Sequence, residues 1–201
     1  TAEFGEKLLA ELPDGSKVHL NAGSELSYKR FFFNNNKKVY LEGEAYFDVI
    51  KGDGFKVISE SAQVDVLGTK FNISDRNKQF EIVCYSGKIS VQRINSSEEF
   101  ILEKGDKITI RENHIASSKV IEISPDWMNG ISLFKNETLS SVLESLERQY
   151  NISIRTNAVD TSKIFTGSFV HDDLTSALKT TLPVMGITYQ ISEDKKVVSL
   201  K

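Results

Sequence analysis

The sequence predicts an all-β domain followed by a small α+β domain, with the change of character near Pro125. Three observations carry this reading. Short runs alternating apolar and polar residues recur from the N-terminus to Ile110, broken by Gly, Asn and Asp, with no helical stretch between them. From Leu139 the apolar positions become Leu139, Val142, Leu143, Leu146 and Tyr150, the stripe of one helix face. The segment then repeats at an offset of 35 residues without a gap, placing Phe134 on Phe169, Leu139 on Leu174, Leu143 on Leu178 and Ile152 on Ile187. The expected domains are residues 1–124 and 125–201, each long enough to bury a core.

Taken in order, Glu6 to Leu12 and Lys17 to Leu20 read as strands around Pro13-Asp14-Gly15-Ser16, where proline presets one turn dihedral and glycine accepts positive φ. Ser24 to Tyr28 adds a short strand. Phe31, Phe32 and Phe33 cannot share one strand face, so at least one packs elsewhere, with the core expected, and Asn34 to Lys38 reads as a polar loop. Val39 to Ser74 is a series of strands interrupted at Gly43, Gly52, Gly54 and Gly68. Gly52-Asp53-Gly54 reads as a hairpin turn and Gly68 as a bulge or close backbone contact. Strands follow at Phe80 to Tyr85, Ile89 to Ile94, Phe100 to Leu102 and Ile108 to Ile110, with turns at Asn95 and Gly105. Period counting leaves sandwich, barrel and solenoid open. In the second domain the expectation is two β-α-β units: Ile131 to Phe134, a helix, Ile152 to Arg155; then Phe165 to Phe169, a helix, Ile187 to Gln190. Val197 to Leu200 follows as a last edge strand. Asn151 and Gly186 fall just past the helix ends, where left-handed backbone suits them, and Asp172-Asp173 read as capping carboxylates.

Net charge is −3, with nine acids against eight bases from Pro125 onward, so neither half has the basic excess of a nucleic-acid binder. No apolar run reaches the roughly 18 to 20 residues that cross a bilayer. The single cysteine, Cys84, excludes an internal disulfide and reads as a buried thiol. His19, His114 and His171 are isolated, without metal-ligand spacing. Glu42 and Glu44 flank Gly43; they read as a solvated face or as carboxylates binding turn amides, against a cation site. The sequons at Asn72, Asn95, Asn136 and Asn151 read as chance tripeptides. With no nucleophile set, metal cluster or dinucleotide fingerprint, the expectation is no enzyme, no cofactor and no small-molecule substrate.

The pieces L-E-G-E-A-Y-F-D-V (Leu41 to Val49), F-K-V (Phe55 to Val57), V-L-G-T-K-F-N-I (Val66 to Ile73), S-G-K-I-S-V (Ser86 to Val91) and L-E-K-G-D (Leu102 to Asp106) resemble the extracytoplasmic domain of FecR-like anti-sigma factors. F-K-N-E-T-L-S-S-V-L-E-S-L-E-R-Q-Y-N-I-S-I and F-T-G-S-F resemble the C-terminal domain paired with it in Bacteroidetes, which is similar to the secretin and TonB N-terminal fold. The resemblance implies a solenoid-like or rolled β stack for the first domain. It also implies the periplasmic part of an inner-membrane regulator, whose membrane helix and sigma-binding cytoplasmic segment would precede Thr1. The implied partners are the N-terminal signalling domain of a TonB-dependent outer-membrane transporter, an extracytoplasmic-function sigma factor and a periplasmic protease. A sigma-independent docking domain of an outer-membrane or secretin-type assembly is the alternative, and a carbohydrate-acting β-solenoid enzyme the third reading. Strand addition at a free sheet edge is the expected docking mode. Candidate contacts are Tyr189 and the strand Val197 to Leu200, with Phe169 either an apolar anchor or, through its repeat partner Phe134, core.

Overall fold

The computed structural model describes residues 1–52, 54–112, 114–156 and 159–201, with backbone alone at positions 32 and 34. Asp53, the centre of the expected Gly52 to Gly54 turn, lies outside the described residues. The chain forms two compact units, Thr1–Glu3 with Lys7–Pro125, and Phe4–Glu6 with Asp126–Lys201.

The first unit contains β1 (Leu8–Glu11), β2 (Lys17–Leu20), β3 (Glu25–Tyr28), β4 (Lys38–Asp48), β5 (Phe55–Ile58), β6 (Ala62–Val66), β7 (Lys70–Arg76), β8 (Gln79–Ser86), β9 (Lys88–Arg93), β10 (Glu99–Glu103), β11 (Asp106–Arg111) and β12 (His114–Lys119). They form one sheet in the order β10-β9-β6-β5-β4-β7-β8-β11-β12, with β2 and β3 also pairing β4, and β1 pairing β2. The pairs are antiparallel apart from β4 with β5. The sheet is therefore a rolled, mostly antiparallel half-barrel, not a solenoid.

The roll turns on β4. Its first half, through Glu42, pairs β3 and β5, and its second half, from Gly43, pairs β7 and then β2. Gly43 sits at the change-over with φ 96°, where a Cβ would lie 2.8 Å from Ser24 Oγ, so only glycine fits. This corner breaks the face that Glu42 and Glu44 would share. Glu42 is exposed, whereas the half-buried Glu44 accepts hydrogen bonds from Asn21 Nδ2 at 2.9 Å and Asn72 Nδ2 at 3.1 Å. Its role is to satisfy two buried amides. The rolled sheet encloses Phe47 stacked on Phe71 at 4.8 Å, with Phe55, Phe80 and the inward Val and Ile of the neighbouring strands. Cys84 lies in this core, and burial pushes its thiol up to about 11, which makes it inert.

At Gly68 (φ 122°) a Cβ would stand 2.6 Å from Lys51 Cα, the close backbone approach expected from sequence. Two features depart from expectation. Arg30–Asn35 is a 3-10 helix where a polar loop was expected from Asn34, with Phe33 buried and Phe31 exposed. β12 lacks apolar alternation, yet its backbone pairs along β11.

The second unit opens with a 3-10 turn at Asp126–Asn129 and continues through β13 (Ile131–Thr138), α1 (Leu139–Tyr150), β14 (Ser153–Arg155), β15 (Ile164–Val170), α2 (Leu174–Thr181), a 3-10 turn at Pro183–Met185, β16 (Tyr189–Ile191) and β17 (Val197–Leu200). β13 and β15 pair antiparallel as one sheet. The other sheet has the order β14-β17-β16, with β14 parallel and β16 antiparallel to β17. This corrects the expectation of an edge strand at Val197 to Leu200. β17 is the middle strand, because β14 and β16 both use its backbone.

Local chemistry explains the helices. Thr138 caps α1, its Oγ1 accepting from Ser141 N–H, and Asn151 ends it with φ 51°. Leu139, Val142, Leu143 and Leu146 are buried, each worth about 1.5 to 3 kcal/mol before ordering costs. Asp173 caps α2 by accepting from Thr175 N–H at 2.9 Å and the Ser176 hydroxyl at 2.6 Å. Asp172 is exposed and makes no such bond, so one of the two expected capping carboxylates performs the role. Gly186 closes the Pro183–Met185 turn at φ 72°.

Candidate docking surface of the C-terminal unit

The β13–β15 sheet has two unlike faces. Its inner face carries Phe134, Phe165 and Phe169, with Phe134 stacked on Phe169 at 5.5 Å and edge-on to Phe165 at 6.1 Å. Phe165 lies over Gly167, where a Cβ would fall 2.6 Å from its Cζ, and Gly167 is opposite Phe134. These rings meet the buried faces of α1 and α2 in one core. The alternation of β-structure then fixes what points outward: Ile131 and Leu133 on β13, and Ile164, Thr166, Ser168 and Val170 on β15, all exposed. Ile131 is directly opposite Val170, and Leu133, opposite Ser168, is 64 % exposed. Each strand also keeps one unpaired edge.

Polar contacts hold the ends of this sheet. Asn136, with φ 56°, sits in a bulge between Phe134 and Glu137, and its N–H donates to Thr166 Oγ1 at 2.9 Å. At the other end the Tyr150 hydroxyl donates to the Val170 carbonyl, and burial holds its phenol above the ordinary range. Ser132 Oγ and His171 Nε2 lie 2.9 Å apart. The β14-β17-β16 sheet presents a different outer surface, with Ser153, Arg155 and Gln190 exposed and Val197 and Ser199 half-buried.

The candidate contacts divide accordingly. Phe169 and Leu200 are buried in the core of the unit, so neither is a surface contact; both shape the sheets from inside. Tyr189 lies half-buried on β16, an edge strand, directly opposite Leu200. Val197 lies half-buried on the central strand beside Ser153, which removes its reading as an edge contact. The structure does not bring the four together on one exposed face. The face it does expose, Ile131, Leu133 and Val170, went unpredicted. The signal for it was present: once the repeat assigns Phe134 and Phe169 to the core, Leu133 and Val170 must face away.

Among the described residues no group of His, Cys, Asp and Glu is arranged to hold a metal ion, and no helix is long and apolar enough to cross a membrane. The architecture is thus a rolled β unit joined to a small α+β unit whose two-stranded sheet has open edges. The FecR protein family model matches residues 1–90, and the model for the FecR C-terminal region matches residues 132–198. The two matches take in more than half of the chain, which belongs to the FecR-like anti-sigma factor family, a regulatory family. Two crystal structures of a Parabacteroides distasonis protein assigned as an anti-sigma factor are similar over 100 % of this chain and 97 % and 96 % of theirs, at 27 % identity and TM-score 0.86 in each case. No curated protein matches the sequence.

Proposed function

We propose that this chain is the periplasmic relay of an inner-membrane anti-sigma regulator. It receives a signal from the N-terminal signalling domain of a substrate-loaded TonB-dependent transporter, and a membrane helix and cytoplasmic segment pass that signal to an extracytoplasmic-function sigma factor. A periplasmic protease acts on the regulator once docking has changed the exposure of a cleavable segment. In this reading residues 1–124 and 125–201 are separate domains, and the second is a duplication of one β-α-β unit.

The observation that carries the docking step is the outward apolar face of the β13–β15 sheet. Exposed apolar patches on soluble domains mark interaction sites, and here the patch borders unpaired strand edges that accept an added strand. Tyr189, on the edge of the second sheet, remains a candidate peripheral contact. Membership of an anti-sigma family favours this reading over a structural docking domain. The test is gel filtration of the chain with the isolated signalling domain of the transporter encoded beside it. A one-to-one complex is expected; separate elution of the two at concentrations of tens of micromolar would contradict the relay.

A further inference from the structure

The 3-10 helix Arg30–Asn35 in the first unit carries an unusual combination of side chains. Phe33 anchors it, 1 % exposed, packed edge-on to Tyr28 at 5.2 Å and Phe55 at 6.2 Å. With Phe33 inside, Phe31 stands outside at 96 % exposure. From Lys29 to Leu41 the sequence contains no acid. Lys29 and Arg30 are exposed and form no ion pair among the described residues. Lys38 is beside Lys56 in the β4–β5 register, and Tyr40, exposed, shares the outward face of β4 with Lys38. Two neighbouring cations are compensated, Lys37 by Asp14 at 3.5 Å and Lys56 by Asp65 at 2.5 Å, which leaves the exposed Lys29 and Arg30 and the half-buried Lys38 without an ion pair among the described residues.

We infer that this protrusion is a contact for an anionic lipid surface, Phe31 entering the headgroup and acyl boundary while Lys29, Arg30 and Lys38 meet the lipid phosphates. A fully exposed aromatic ring flanked by cationic side chains matches a soft, negatively charged plane, and the exposed Tyr40 has the amphipathic ring that such an interface favours. Local charge selects this site over the other fully exposed apolar side chain. Ile121, 95 % exposed, is followed by Glu122, and the nearby Lys119 is paired with Asp106 at 2.6 Å. The overall charge of −3 makes the basic cluster a local feature. The contact goes beyond the relay reading and does not depend on it.

The experiment is co-sedimentation of the whole chain with vesicles of mixed phosphatidylglycerol and phosphatidylcholine, against phosphatidylcholine alone, at low and physiological salt. Binding is expected to the anionic vesicles and to weaken as salt rises. Lys29→Gln with Arg30→Gln is expected to weaken it about fivefold per charge, and Phe31→Ser about tenfold or more. All three side chains are exposed, so an unchanged melting temperature in both variants confirms intact folding. Equal binding to both vesicle types, no binding to anionic vesicles at low salt, or undiminished binding by the folded variants would each overturn the inference. Undiminished binding would also place the lipid contact elsewhere on the chain.

Discussion

The two sheets of the C-terminal unit pack against the same helix, α1, yet one turns apolar side chains to solvent and the other polar ones. The inner faces explain the fold of both: Phe134, Phe165 and Phe169 on one, Ile154, Tyr189, Val198 and Leu200 on the other, all in a single core. Nothing in that core dictates the outer residues. Thr166 and Ser168 occupy outward positions of β15, so the sheet tolerates polar groups there. Ile131, Leu133 and Val170 on the same face therefore point to a use outside folding, whereas Ser153, Arg155 and Gln190 on the other sheet form an ordinary wet surface.

Breaking the shared support should abolish the distinction altogether. Leu146→Ala removes a fully buried side chain of α1 and should cost about 2 to 5 kcal/mol, read as a shifted denaturant midpoint for the C-terminal unit. A change on one outer face should separate binding from stability. Leu133→Asp is expected to weaken docking of the signalling domain by about tenfold to a hundredfold, with unfolding free energy within about 0.5 kcal/mol of the parent. Thr138→Ala deletes the α1 cap at the far end of β13 from Ile131, Leu133 and Val170, and should lower stability by about 1 kcal/mol while leaving partner affinity unchanged.

The smallest expected effects come from pH. The Ser176 hydroxyl holds the Asp173 carboxyl below its ordinary range, so the capping contribution is complete above the unfolded pKa and fades as pH falls through the folded one. Asp173→Ser, which caps without titrating, should flatten that acid limb in thermal melts. In the first unit burial raises Cys84 from 9.0 to about 11, so its contribution is complete below pH 9 and lost as pH climbs through the folded value. Cys84→Ala should remove that alkaline component and leave the acid limb of the C-terminal unit as it was.

The strands and helices were legible because period-two and helical spacing record burial directly, as at Val64 and Val66 or Leu139 to Leu146. The caps at Asn151 and Asp173 were legible because few residues serve there. The place of β17 between β14 and β16 was not, since a four-residue apolar strand reads alike at the edge and in the middle, and long-range pairing decides. β12 was missed because His114 to Lys119 buries almost nothing; backbone bonds to β11 alone make it a strand. The candidate contacts Phe169 and Leu200 were chosen for being large and apolar, the property that placed them in the core. The exposed face was overlooked because Leu133 taken alone reads like a core leucine; only the alternation fixed by placing Phe134 and Phe169 in the core turns it outward.

The most direct test is a calorimetric titration of the transporter's signalling domain into three proteins: the parent chain, Leu133→Asp, and Gln190→Asp from the opposite sheet. A saturable one-to-one isotherm with a negative heat-capacity change is predicted for the parent, consistent with an apolar interface of the common size near about 1,600 Å². The Gln190→Asp chain should match it, and the Leu133→Asp chain should lose most of the affinity at an unchanged melting temperature. Equal affinity in all three, or loss at Gln190→Asp alone, would contradict the assignment of the β13–β15 face as the docking surface.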